Sequence, residues 1–167
     1  YEMLSPSQYE ELLSIARKNN LRVAGHVPLS MDIITASKLG LSSLEHVKNL
    51  EMWATNNREN LLIQRREMLK NPNALSGLSL RGTIHNSQKD YSVRNIDSLK
   101  LIEIYTSLLE NDTWQVPTLS IYKVPIYKIF KQESWMNSFS SLPKQTKDRW
   151  TKNAENSSLS INSKQKK

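Results

Sequence analysis

Two histidines are the residues of this sequence whose type and spacing could do chemistry. His26 closes the run Leu21-Arg22-Val23-Ala24-Gly25-His26, and His46 closes Leu41-Ser42-Ser43-Leu44-Glu45-His46. One helix-length segment ending at Gly40 separates them, so the order reads strand, His, helix, strand, His. That order places two imidazoles side by side at the same end of neighbouring parallel strands, where an α/β enzyme keeps its metal. A metal that activates water takes neutral imidazoles and carboxylates from rigid elements and keeps one position open. Singly, either histidine reads as a hydrogen-bonded residue at a strand end. As a pair in equivalent positions, one of them after a glycine that permits close approach, they read as metal ligands.

The remaining candidates are weaker. Glu45 points to the opposite side of an extended strand from His46 and is expected to make a structural salt bridge instead of sharing a metal. His85 lies in an irregular polar segment and reads as a surface residue. With no cysteine, the chain has no disulfide, zinc-thiolate site or cysteine nucleophile. No Ser/His/Asp order, P-loop or dinucleotide loop is present, and four glycines supply few phosphate-cradling turns.

Several elements must position the pair. Ser5, Pro6 and Gln8 form a capping-box start for a helix whose stripe is Tyr9, Leu12, Leu13 and Ala16, ending at Asn19-Asn20. Residues 21–25 follow as a short strand. A second helix is predicted over residues 30–39, with Asp32 in its first turn and Gly40 as its left-handed terminus. A new strand begins at Leu44. Residues 51–70 read as one longer amphipathic helix, and residues 71–97, with Pro72, Gly77 and Gly82, as an irregular excursion. Ser98 is expected to cap a helix through Leu109, before a third strand at Trp114-Gln115-Val116-Pro117-Thr118-Leu119. Residues 130–150 have room for one or two helices around Trp135, Phe139 and Trp150. The Ser/Asn/Lys-rich residues 153–167 are expected to be disordered.

The chain of 167 residues is long enough for one sizeable core, and its mean hydropathy of −0.56 is on the polar side of globular. Of the net charge of +7, +5 falls in residues 144–167. That is a basic tail, without the basic face and interleaved aromatics a nucleic-acid surface needs. A salt-sensitive nucleic-acid binder is therefore a minor alternative, and no nucleic-acid partner is expected. No apolar stretch is long enough to span a bilayer. The chain opens on Tyr1 inside what reads as a continuing unit, and is expected to be a piece of a longer protein.

Val23-Ala24-Gly25-His26-Val27-Pro28, then Ala36, Gly40 and Ser43-Leu44-Glu45-His46, resembles the metal-dependent amidohydrolase superfamily, in its imidazolonepropionase-like and dipeptidase-like branch. Trp114 to Leu119 is similar to that branch's seventh strand, and Tyr1 to Ser7 to the stretch after its fourth. The resemblance implies a partial (β/α)8 barrel, strands five to seven, over residues 1–122 with a helical insertion at 51–97. Residues 123–152 would be a helical segment and 153–167 the tail. It implies His26 as the strand-five metal ligand and His46 as the strand-six histidine, which binds the second metal in binuclear members and contacts substrate or water in mononuclear ones, around one or two divalent ions, zinc by expectation, in the whole protein. It also implies hydrolysis of an amide, cyclic amide or dipeptide-like C–N bond in a small substrate by a metal-activated water. The family's His-x-His motif has no counterpart here; its strand-four lysine would precede Tyr1 and its strand-seven aspartate would follow the last residue. Two histidines alone should hold zinc weakly, so the chain by itself is expected to be inactive. The alternative is a non-catalytic barrel remnant serving as a binding or oligomerisation module.

Overall fold

Ser5 starts the first helix through the reciprocal contacts its sequence calls for. In the computed structural model, which describes residues 2–164, its side chain accepts from Gln8 N at 3.2 Å and its own N–H donates to Gln8 Oε1 at 2.9 Å. Helix α1 (Pro6–Lys18) then buries Tyr9, Leu13 and Ala16, while Leu12, expected inside, stays on the solvent side.

The chain next makes β1 (Ala24–Gly25), α2 (Ile33–Lys38) and β2 (Ser43–Glu45). Asp32 proves to be the cap of α2, its Oδ1 accepting from Thr35 N at 2.7 Å. The helix therefore begins three residues later than expected. Gly40 has φ +104°, a backbone that favours glycine, and a Cβ there would press on the end of the Arg17 side chain at 3.0 Å. Strand β3 (Trp114–Val116) completes a parallel sheet in the order β1-β2-β3. The register pairs Gly25 with Leu44 and Leu44 with Gln115. The strands are shorter than predicted; ahead of the ladder Val23 O accepts from Ser42 N at 2.9 Å and from Ser43 N at 3.2 Å.

Between β2 and β3 the chain forms α3 (Leu50–Trp53), α4 (Arg58–Leu69), α5 (Gly77–Arg94) and α6 (Ser98–Glu110). Two expectations are corrected here. The single helix over residues 51–70 is broken at Thr55, which bridges to Ile96 while Asp97 N donates to Ala54 O at 2.7 Å. The irregular excursion is largely α5, capped by Ser76. Its buried face is Leu80, Ile84, Gln88 and Ser92. Half of that face is polar, which is why hydrophobic periodicity did not reveal a helix. Asp97, not Ser98, caps α6, accepting from Leu99 N at 2.7 Å.

The core of residues 2–117 joins Leu41 and Leu44 of the sheet region to Ile33 and Ala36 of α2, Met52 and Trp53 of α3, and Ile104 and Leu108 of α6. A smaller apolar group, Leu29, Leu80 and Ile84, fastens α5 to the loop after His26. The buried Thr113 hydroxyl is satisfied, donating to Leu41 O at 2.8 Å and lying 2.8 Å from Ser37 Oγ.

Residues from Thr118 onward form a second compact unit. It contains α7 (Ser120–Ile126), a 3-10 turn (Ile129–Lys131), α8 (Glu133–Ser138) and α9 (Lys144–Lys164). Phe139 stacks edge-to-face on Trp135 and Trp150, with centroids 5.1 and 5.9 Å away. Residues 153–164, expected to be disordered, belong to α9; residues 165–167 lie outside the described residues. No helix among the described residues is long and apolar enough to cross a membrane.

Candidate functional site

His26 and His46 each stand one residue beyond a strand, and the parallel register of β1 and β2 brings their rings together. The centroids are 5.1 Å apart at 63°. His46 has φ +60°, with Val47 and Asn49 also in the left-handed region at φ +48° and +66°. Three such residues in four indicate backbone strain of the kind that collects at functional sites. The turn is held by His46 N donating to Val116 O at 2.7 Å, so β3 fixes the backbone that carries the second imidazole.

Glu2 is the residue that organises the rest. Its backbone carbonyl accepts from Leu29 N at 2.8 Å, and Ser30 Oγ donates to Leu4 O at 3.0 Å, tying the first residues to the loop after β1. Its carboxylate, 4% exposed, lies 2.8 Å from His26 Nδ1 and 3.7 Å from Lys48 Nζ through Oε1. Oε2 lies 3.3 Å from Arg81 Nε and 3.8 Å from His85 Nε2. Burial alone would push the Glu2 carboxyl up. His85, Lys48, His26 and Arg81 around it overcome that and hold it at about 2. Burial lowers the His26 pKa, against the opposing pull of Glu2, which favours the neutral imidazole a metal requires.

Helix α5 delivers two of these groups. Arg81 and His85 are four residues apart and share a face, and the Leu80–Ile84 packing against Leu29 presses that face toward Glu2. His85 is thus corrected from a surface residue of an irregular segment to a partly buried helical residue beside the site. Behind it, Arg65 of α4 is 2% exposed, donating to Gln88 Oε1 at 2.6 Å and to Asn49 Oδ1 at 3.0 Å. Burial lowers its pKa to about 10, with Glu51 and Glu2 acting in the opposite direction. Its Nη1 has no hydrogen-bond partner among the described residues. Glu45, expected to form a salt bridge, accepts from Ser43 Oγ at 2.9 Å.

As a donor set, the two imidazoles suit a divalent metal, and with Nδ1 turned to Glu2, His26 would take it through Nε2. Lys48 and Arg81 close to Glu2 make the carboxylate an orienting partner and not a ligand, because a metal placed there would face two cations. Among the described residues no group of three or more His, Asp or Glu is arranged to hold a metal. What is assembled is two imidazoles side by side and one carboxylate against the first of them. Glu2, Lys48 and Arg81 escaped the sequence reading. The available signals were that Glu2 is the sole acid before Glu10, and that Arg81 and His85 have i, i+4 spacing. Comparison with protein-family models, with curated proteins and with solved structures gave no match to this chain.

Proposed function

We propose that this chain is part of a metal-dependent amidohydrolase that cleaves C–N bonds of small amide or peptide-like substrates. The observation that carries the reading is the side-by-side placement of His26 and His46 beyond the C-terminal ends of adjacent parallel strands. That is the position such an enzyme gives its metal, and the sequence around both histidines resembles the family's motifs. In this reading β1, β2 and β3 are strands five to seven of a (β/α)8 barrel. Helices α3 to α5 form the excursion over the catalytic end.

His26 and His46 would hold the metal, and a divalent ion bound there supplies Lewis-acid activation of water and of a carbonyl. The chain's own contribution is preorganisation. The Glu2 carboxylate stands 2.8 Å from Nδ1 of His26, and the Val116 carbonyl holds the backbone of His46. Two protein donors make an incomplete shell, so the chain alone is expected to bind zinc weakly and to turn over no substrate.

Zinc titration of the full chain tests the ligand roles. One weak site is expected, lost in His26→Ala and in His46→Ala and retained in His85→Ala. Equal zinc binding in the first two variants would overturn the reading. The non-catalytic remnant remains as a second reading, favoured by the apolar residues left exposed, among them Leu12, Ile15, Leu21, Ile102 and Leu109. The sequence encoded upstream separates the two, since an enzyme needs the His-x-His strand there.

A further inference from the structure

The polar groups around Glu2 do more than hold one histidine. Lys48 and Arg81 both lie within 3.7 Å of its carboxylate, and Arg65 is buried behind them with Nη1 unpartnered among the described residues. Glu51 and Glu2 are the carboxylates that act electrostatically on Arg65. Three fixed cations against two carboxylates leave one positive charge in surplus beside the histidine pair. Such a surplus in a partly desolvated site favours an anionic ligand.

The side chains are open enough to receive one. Lys48 and Arg81 are 31% and 39% exposed, whereas Glu2 is closed off at 4%. Among the described residues the polar contact of Arg81 is the one from Nε to Glu2, which sets its two terminal nitrogens apart from that contact. Those nitrogens are the pair with which a guanidinium grips a carboxylate in two parallel hydrogen bonds. The resident charge on Glu2 also discriminates between anions. A monoanion cancels the surplus, whereas a phosphate dianion overshoots it and meets more repulsion from Glu2.

We infer that Arg81 of the helical excursion, with Lys48, forms an anion subsite beside His26 and His46 that selects ligands bearing a carboxylate. The inference rests on the amidohydrolase reading for the identity of the group placed at the histidines, but the anion subsite can be tested without metal. In that form the excursion sets specificity, through Arg81 in particular. A purely structural ion-pair hub would show no such selectivity.

The test measures binding of N-acetylglycine, its neutral counterpart N-acetylglycinamide, and inorganic phosphate to the full, metal-free chain by calorimetry at low salt. N-acetylglycine should bind at least about tenfold more tightly than either of the others, and its affinity should fall as salt rises from about 20 to about 200 mM. Arg81→Gln should weaken it about tenfold and Arg81→Lys less, while Lys18→Gln, the same charge change on α1, leaves it unchanged. Arg81 is half-exposed, so the variant is expected to fold, and thermal unfolding checks this. The comparison of acid with amide needs no variant at all. Equal binding of acid and amide, tighter binding of phosphate, or full affinity in Arg81→Gln would each overturn the subsite. Zinc titration run alongside separates the two ideas. Carboxylate binding without zinc binding sinks the amidohydrolase reading alone, and zinc binding without carboxylate binding sinks the subsite alone.

Discussion

Glu2 concentrates the energetics of the site in one side chain. A buried carboxylate held at about 2, against an ordinary 4.5, contributes stability that is fully present above pH 4.5 and is lost as pH falls through that range toward 2. The loss is on the order of 3 kcal/mol for such a shift. Urea midpoints measured from pH 6 to pH 2.5 should fall accordingly, and Glu2→Gln should flatten this part of the profile. An unchanged profile in the variant would assign acid sensitivity elsewhere. Arg65 gives a second prediction at this scale. Arg65→Met leaves Gln88 Oε1 and Asn49 Oδ1 without their donor in a buried place, at a cost of roughly 2–4 kcal/mol in denaturant unfolding. A neutral outcome would mean that this network is replaceable by packing. The histidine pair was legible because each member ends an apolar run. The carboxylate that serves it was not, since nothing in Tyr1-Glu2-Met3 marks contact with a residue 24 positions later.

Helix α2 is the crossover from β1 to β2, the two strands that carry the imidazoles. Its ends are therefore where a small change should be felt at the site. Asp32→Ala removes the cap on Thr35 N and should cost about 1 kcal/mol. Gly40→Ala places a side chain at φ +104° and 3.0 Å from Arg17 Nη2, and should cost about 1–2 kcal/mol. Thermal unfolding reads both. If Gly40→Ala were neutral, the left-handed turn would have a second solution. Elements of this kind were readable where local chemistry decides them, as with Ser5-Pro6-Gln8 and Gly40. Helix α5 was not readable. Gly77 and Gly82 look like breakers, and its inward face includes Ser92, bonded to Gln88 O, and Gln88 itself, which is bonded to Leu61 O and Arg65 on another helix. The break at Thr55 has the same origin, a tertiary bridge to Ile96 that no local pattern encodes.

At the scale of the whole molecule, the three strands among the described residues form one short parallel sheet. Trp114 and Val116 on β3 are exposed, and α6 beside them presents Ile102, Tyr105 and Leu109 to solvent. An exposed apolar strand of this composition can template further association. Sedimentation velocity should show mass rising with concentration, and Val116→Lys should suppress it. A monomer at every concentration would show that the strand is protected. The α/β character and the parallel strand order follow from the alternation of elements in the sequence. A closed barrel belongs to the proposal, because three strands do not close one. The central claim is that His26 and His46 share one metal. X-ray absorption of the zinc-loaded chain tests it most directly. The account predicts two imidazole nitrogens at about 2.0 Å in the native chain and no bound zinc in His46→Ala. Zinc with the native spectrum in a His26→Ala/His46→Ala double variant would contradict it.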